Sequence, residues 1–537
     1  MFALIKAFII PFVLATGAFI YVRMAFKTLI DVKQIDRWRN VFLAATFVAF
    51  FVPNYWIVLF AFSLVVLFMG AGEKFKPALY LVLLFAMPAA GKTVPGFAGI
   101  DNFLHLYPYN VLALLLLYPA MLFSREKRPK SGAGAMADFF FIGFSLLSVG
   151  LAFRDTSFTD GIRRSTEYLL TAVPQYLVFS RLNWTAERIR AATAAIVIPL
   201  FAFAGIGVAE VVLHWHFYAE AISNWDARIF VRYLGRSGLL RAYGGSFGPI
   251  AFGLFFVMAI PLAAAMMSSV KAKRLPMLGI GGLIAGLVSS LSRGPWVGGV
   301  AALGVFVLTS RAAISNTMKL AIAGLIALAV LATTPQGRVI YNMLPVVGNV
   351  NEDTIDYREQ LWDIGWEVVM QKPVFGSDNF RNAPEMQALV QGQGIIDIVN
   401  SYLNVALERG LTGLTFFSGA LLFSLFTLWS KIGLARRIAP DIAPYAQGYV
   451  AALAGVMVTI ATTSSTAQIG EVTWILCGMC VGVARYLSAT ERELKNRPPA
   501  PIEQNREPPP EKQPRPKKMT DIPAGKVPAH LRQYVKK

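Results

Sequence analysis

Apolar runs long enough to enter a lipid bilayer recur along most of this chain up to about residue 490, and short loops rich in Lys and Arg separate them. A hydrocarbon core about 30 Å thick takes about 20 residues of helix, and inside it each backbone N–H and C=O must find its partner within the protein. The expected fold class is therefore an all-α polytopic membrane protein. Hydrophobic residues make up 55% of the chain, against about 45–50% in a soluble domain. The two cysteines, Cys477 and Cys480, share one apolar run and read as small core residues, not as a disulfide or a metal site.

Charge placement sets an alternation. The net charge is +19, and it concentrates in short basic loops at 23–39, 74–76, 125–130, 181–190, 271–274, 311–319 and 431–437. Basic short loops face the cytoplasm. Placing all of them there pairs the spans between them: 4–22, 40–52, 56–71, 77–90, 109–124, 137–152, 167–180, 191–212, 248–267, 276–291, 296–310, 319–333, 411–430, 446–462 and 471–487. Twelve to fifteen helices are expected, with the N-terminus on the opposite side. The first run is read as retained rather than as a removed signal peptide, since no small-residue cleavage site follows it. The sequence thus divides into a transmembrane domain over 1–490, which carries a large outer loop at 334–410 with helical patterns at 357–370 and 395–409, and a tail over 491–537. That tail is rich in Pro and basic residues, as in Pro508-Pro509-Pro510 and Arg515-Pro516-Lys517-Lys518. It is expected to be disordered, cytoplasmic and attracted to anionic lipid headgroups.

The outer side collects arginines. Ser292-Arg293-Gly294-Pro295-Trp296 places a cation between two apolar runs, where it costs about 2.5–3.5 kcal/mol on insertion scales unless it reaches water or an anion. Arg163-Arg164 precedes the span at 167–180, Arg241 stands before a Gly-rich turn, and Arg358 opens an amphipathic helix. Arg228, Arg232 and Arg236 are spaced by four and read as one face of a helix lying on the lipid surface, with Phe230 and Tyr233 at the interface. Guanidinium binds phosphate oxygens in a bidentate fork, so convergent arginines at a membrane surface suit a lipid-linked phosphate or diphosphate. No Gly-x-x-x-x-Gly-Lys-Ser/Thr nucleotide loop is present. His214 and His216 lie two apart without an acidic cluster beside them in sequence, and read as packing residues rather than metal ligands. Nothing in the folded part points to nucleic acid.

Three blocks then carry a resemblance. Ser292-Arg293-Gly294-Pro295-Trp296 is similar to the Ser-Arg-Gly-small-Trp turn of the O-antigen ligase and polymerase superfamily of bacterial inner membranes. Tyr357-Arg358-Glu359-Gln360-Leu361-Trp362 with Lys372-Pro373-Val374-Phe375-Gly376-Ser377-Asp378-Asn379-Phe380 resembles its Arg-x-x-x-Trp helix and following Gly-rich turn. Asn400-Ser401-Tyr402-Leu403 with Glu408-Arg409-Gly410-Leu411-Thr412-Gly413 resembles its His-Asn-x-Tyr-Leu and Glu-x-Gly block. Motifs cover roughly 160–435.

The resemblance implies a metal-independent glycosyltransferase of the C-type membrane fold, with no cofactor. It would be a multi-pass protein of the bacterial inner membrane with its active site facing the periplasm. Its substrate would be an undecaprenyl-diphosphate-linked oligosaccharide, its surroundings membrane lipids, and a polysaccharide co-polymerase a partner. Arg293 and Arg358 would hold the diphosphate; Arg163 and Arg241 are added as substrate-binding residues on placement, and Asn400 and Tyr402 from the motif. Where ligases carry histidine before Asn400 this chain has Val399, so the general base falls to a nearby carboxylate, Asp397 first, then Glu408 or Glu359. The missing histidine tilts the expectation toward polymerisation of exopolysaccharide, capsule or O-antigen repeats. A ligase transferring the glycan to lipid A–core is the alternative, and a transporter or flippase of the lipid-linked repeat the alternative of another class. Against the last, the charges gather at one face and no internal repeat is evident.

Overall fold

The computed structural model describes residues 2–96, 102–123, 132–226, 231–246, 248–344, 352–391, 394–464 and 468–496. Helices dominate. Seven are long and apolar enough to cross a membrane: Phe2–Phe26, Ala186–Leu213, Pro249–Ser268, Ala313–Thr333, the stretch Ser401–Ile438, Ala443–Ile460 and Ile469–Lys495. Five shorter apolar helices accompany them, Tyr55–Met69, Pro108–Leu122, Ala135–Leu151, Arg274–Ser289 and Arg293–Leu308. The protein is an all-α polytopic membrane protein. The remaining expected spans fall on helices that are charged or broken. Val32–Phe51 carries Lys33, Asp36, Arg37 and Arg39 in its first half. Lys76–Leu83 stops after two turns, and the path near 167–180 breaks between Phe158–Thr171 and Val173–Arg181, where Pro174 removes a backbone donor.

Polar contacts sort the described loops into two sets. In one, Arg190 pairs with Asp441, Arg436 donates to the Thr309 carbonyl, and Tyr21 donates to the Leu275 carbonyl at 2.9 Å. Buried Arg485 joins this set, reaching Asp138 at 2.6 Å and the Ala133 and Ser180 carbonyls at 3.0 and 2.8 Å. In the other set, Lys92 donates to the Asp226 carbonyl at 2.8 Å, the His105 N–H to Glu167 at 2.7 Å, and Arg241 to Ser292 at 2.8 Å. The first set holds the short basic loops and the second the longer connections, so the alternation inferred from charge has a counterpart in which loops touch. The loop 125–130 lies outside the described residues.

The structure corrects two expectations and adds two features. Arg236 belongs to a two-stranded antiparallel hairpin, Gly235–Arg236 paired with Leu239–Leu240, instead of an interfacial helix. Ser237 and Gly238 turn it with φ of 50° and 79°, the left-handed pair that a two-residue hairpin turn needs and a helix forbids; Arg228 and Phe230 lie outside the described residues. The connection between the spans expected at 77–90 and 109–124 contains a further hairpin, Lys92–Pro95 with Asn102–Leu106. The helix expected at 395–409 starts only at Ser401, capped by the Asn400 side chain accepting from the Tyr402 and Leu403 N–H groups. It then runs without a loop into the membrane as far as Trp429. His216, read as a packing residue, stacks on Tyr243 and also places its Nδ1 3.2 Å from buried Glu210.

By internal contacts the chain divides into Met1–Glu491 and Arg492–Lys537. Of the tail expected to be disordered over 491–537, the described residues instead continue the last helix to Lys495; residues 497–537 lie outside the described residues.

The tightest helix pair is Arg293–Leu308 against Ala443–Ile460, and small residues permit it. A Cβ on Gly298 would lie 1.9 Å from Thr459 Oγ1 and 2.7 Å from the Gly455 carbonyl oxygen. Close approach of this kind replaces the hydrophobic driving force that lipid removes. Gly298→Ala is therefore expected to destabilise the protein by about 1–3 kcal/mol through overpacking. Gly304→Ala, which meets nothing within 4 Å, should be neutral. Thermal unfolding of both variants in detergent checks the contrast.

Candidate functional site

The turn at 290–296 is built by its neighbours and leaves one side chain for chemistry. Trp296 is buried and donates from Nε1 to the Leu287 carbonyl at 3.0 Å, closing the turn on the preceding helix. Gly294 sits against the chain at 462–463, where a Cβ would come within 2.5 Å of Thr462 Oγ1. Pro295 packs on Gly253 of the helix Pro249–Ser268. Leu291 adopts φ 45°, a left-handed conformation that costs a branched residue about 1–3 kcal/mol. Its carbonyl accepts from Arg236 Nη1 at 2.6 Å. Arg293 then opens the next helix, with Nε donating to the Met343 carbonyl at 2.9 Å.

Arg236 lies within electrostatic reach of Arg241, Arg293 and Arg358, and Arg293 within reach of Arg358. Arg241 donates to Ser292 Oγ, and Arg358 donates to the Thr462 carbonyl at 3.4 Å. Among the described residues, the hydrogen bonds of Arg236, Arg241 and Arg358 go to carbonyls and a hydroxyl, not to a carboxylate. Burial, followed by the charge of Arg236, pushes the Arg241 guanidinium down to about 10. Arg236 is lowered by burial and by Arg293 and Arg358; Arg358 is lowered by burial and by Arg293, with Asp397 acting in the opposite direction. Arg241 Nε is buried without a hydrogen-bond partner. Arg236, Arg241, Arg293 and Arg358 thus concentrate positive charge around one turn.

The large loop reaches this field through main-chain docking. Gly376 and Gly410 adopt φ of 63° and 66°, and a Cβ on either would strike backbone at 2.4 Å: the Leu407 carbonyl oxygen for Gly376, and Val374 for Gly410. Between them Ser377 N–H donates to the Leu407 carbonyl at 2.8 Å and Leu411 N–H to the Pro373 carbonyl at 2.7 Å. Gly410 also kinks the helix Ser401–Trp429. Tyr357 donates to the Asp397 carbonyl at 3.0 Å, and Ser401 to the Thr463 carbonyl at 3.0 Å. Arg358 and Asp397 are thus placed beside Arg293 by bonds that converge on 462–463.

The other sequence candidates are distributed differently. Asn400 spends its side-chain oxygen on the helix cap. Tyr402 points to the helix Ala443–Ile460, donating to the Met457 carbonyl at 3.3 Å. Arg163 pairs with Asp160 on its own helix at 2.8 Å, and none of the cationic group's described contacts involves it. Glu408 is held by Asn404 at 3.0 Å and Arg409 at 2.5 Å. It lines a separate cavity of ≈ 520 Å³ that also takes in His105, Glu167 and Asp378. Of the substitute bases weighed from sequence, Asp397 is the one whose charge bears on Arg358. Sequence reasoning missed Arg236 as a member of the group, and Glu471, a carboxylate only 4% exposed near the start of a membrane helix. An ionisable residue inside an apolar run was the available signal for the latter.

Residues 278–418 match a family model described as O-antigen ligase; Arg293, Arg358, Asp397, Asn400, Tyr402 and Glu408 fall within the match, and Arg163 and Arg241 outside it. No curated protein matches the chain.

The lowered Arg241 has a measurable consequence for anion binding. An anion held by Arg241 would bind its cationic form, so the apparent affinity would fall as pH rises through the free protein's value, near 10, by up to tenfold per pH unit. Tyr243, pushed up to about 12 by burial, stays neutral over that range. Inorganic diphosphate titrated between pH 7 and 11 should lose affinity from about pH 10, and Arg241→Ala should flatten that limb while weakening binding at pH 7.

Proposed function

We propose that this chain, a member of the O-antigen ligase and polymerase superfamily through its domain at 278–418, polymerises undecaprenyl-diphosphate-linked oligosaccharide repeats at the periplasmic face of the inner membrane. The observation that supports this most is the gathering of Arg236, Arg241, Arg293 and Arg358, of which Arg236, Arg241 and Arg358 bond to carbonyls and a hydroxyl among the described residues. Such a field is costly to hold in a half-buried site unless an anion completes it. A diphosphate supplies several oxygens in a compact volume, and guanidinium groups meet them as bidentate forks. Arg293 stands at the N-terminus of a helix, whose dipole adds to the attraction.

The chemistry follows from charge. An acceptor hydroxyl oxygen attacks the anomeric carbon of the donor sugar, forming the new C–O bond. The bond from that carbon to the diphosphate oxygen breaks, and undecaprenyl diphosphate leaves with the electron pair. The arginines stabilise the negative charge that builds on the leaving oxygen, where preorganised donors act most strongly. The hydroxyl proton passes to Asp397, which stands beside Arg358. Val399 occupies the place of the ligase histidine, and this favours polymerisation over transfer to lipid A–core.

Arg293→Ala and Arg358→Ala are each expected to lower polymer formation by at least about 10²-fold while the protein remains in the membrane at normal abundance. Asp397→Asn is expected to cost about 10²–10⁴-fold without weakening diphosphate binding. Gel profiles of surface polysaccharide from complemented deletion strains check all three. Loss of free high-mass polymer on deletion supports the polymerase; loss of lipid A–core-attached chains with polymer intact supports the ligase.

A further inference from the structure

A second cavity lies along the same kinked helix and differs in electrostatic character. Ser401, Asn404 and Glu408 follow one another at helical spacing, and all three line a cavity of ≈ 360 Å³. This joins the ≈ 520 Å³ cavity through shared residues including Tyr168 and Glu408. Seven helical residues from Ser401 to Glu408 rise roughly 10 Å, so the cavity runs from the neighbourhood of the arginine group into the protein.

Its lining is balanced in charge. The larger lobe presents Arg164, Arg381 and Arg409 against Glu167, Asp378 and Glu408. Several of these are tied together: Arg164 with Asp378 and Arg409 with Glu408 at 2.5 Å. The smaller lobe adds buried Glu471. A cavity of this composition does not select for an anion. It offers carboxylate acceptors and guanidinium donors side by side, at a density that matches a ligand carrying many hydroxyl groups. Tyr107 and Tyr168 contribute half-buried aromatic faces, which suit the C–H faces of pyranose rings and keep a polar rim.

We infer that this cavity receives the acceptor glycan, a neutral, hydroxyl-rich oligosaccharide end, and presents its terminal hydroxyl toward the arginine-held donor. The inference rests on the transfer reaction proposed above, but it concerns a different set of residues and a different ligand chemistry. Donor and acceptor are then separated by lining: the diphosphate is drawn to the arginine group, while the glycan meets a wall in which Arg164 pairs with Asp378 and Arg409 with Glu408.

The test uses the full-length protein in nanodiscs and two probes. One is the repeat oligosaccharide released by mild acid from lipid-linked intermediates, free of lipid and diphosphate; the other is undecaprenyl diphosphate. Glu167→Gln and Arg381→Ala are expected to weaken oligosaccharide binding at least tenfold and to leave undecaprenyl diphosphate binding unchanged. Arg293→Ala is expected to do the reverse. Glu167→Gln keeps an oxygen for the His105 N–H, and Arg381 is exposed, so a monodisperse size-exclusion profile is expected of both. No oligosaccharide binding by the wild type, or equal affinity in wild type and both cavity variants, overturns the inference. Loss of oligosaccharide binding in the cavity variants together with undiminished carrier binding by Arg293→Ala supports the glycan site and removes the diphosphate reading instead.

Discussion

Mutual repulsion among Arg236, Arg241, Arg293 and Arg358 is the interaction on which the outer half of this molecule turns. Like charges brought together in a partly dehydrated site raise each other's energy, and Arg241, lowered first by burial and then by the charge of Arg236, reflects both effects. The scaffold holds them regardless, through bonds to Leu291, Ser292, Met343 and Thr462. Those partners come from a turn between membrane helices, a segment that opens the large loop and the end of a third membrane helix. A field assembled from such distant segments is pre-organised before any ligand arrives, which is the condition for donors to stabilise a leaving group without rearranging.

The helix Ser401–Trp429 connects that field to the charge-balanced cavity. Its N-cap lies three residues after Asp397, its first turns line the cavity, and its kink at Gly410 receives the large loop. The same element therefore follows closely on Asp397, whose charge bears on Arg358, and carries groups assigned to the glycan. Displacing it would disturb both ligand sites at once, whereas substitutions on its cavity face act on one.

The sequence made the membrane class legible because period and length of apolar runs are local properties. Arg293 and Arg358 were legible for a similar reason: each sits in a short motif whose other residues, Gly294 and Trp296 above all, have packing duties that the structure makes plain. Arg236 was misplaced because spacing by four suggests a helix face, while the Ser237-Gly238 turn that overrides it depends on backbone conformations that spacing does not record. The paired carboxylates and arginines of the cavity come from four separated regions of chain, so no window contains their pattern. Arg163 shows the converse: a promising doublet in sequence is absorbed by Asp160 one turn away.

The docking of the large loop at Gly376 and Gly410 is made of main-chain hydrogen bonds, with the Arg154 guanidinium donating to the Phe375, Gly376 and Glu408 carbonyls beside them. Such an attachment tolerates change in the other surrounding side chains, provided the two glycines stay bare and Arg154 is kept. Loop side chains facing the glycan cavity can therefore be exchanged to suit a different sugar without unfastening the hinge that keeps Arg358 in register.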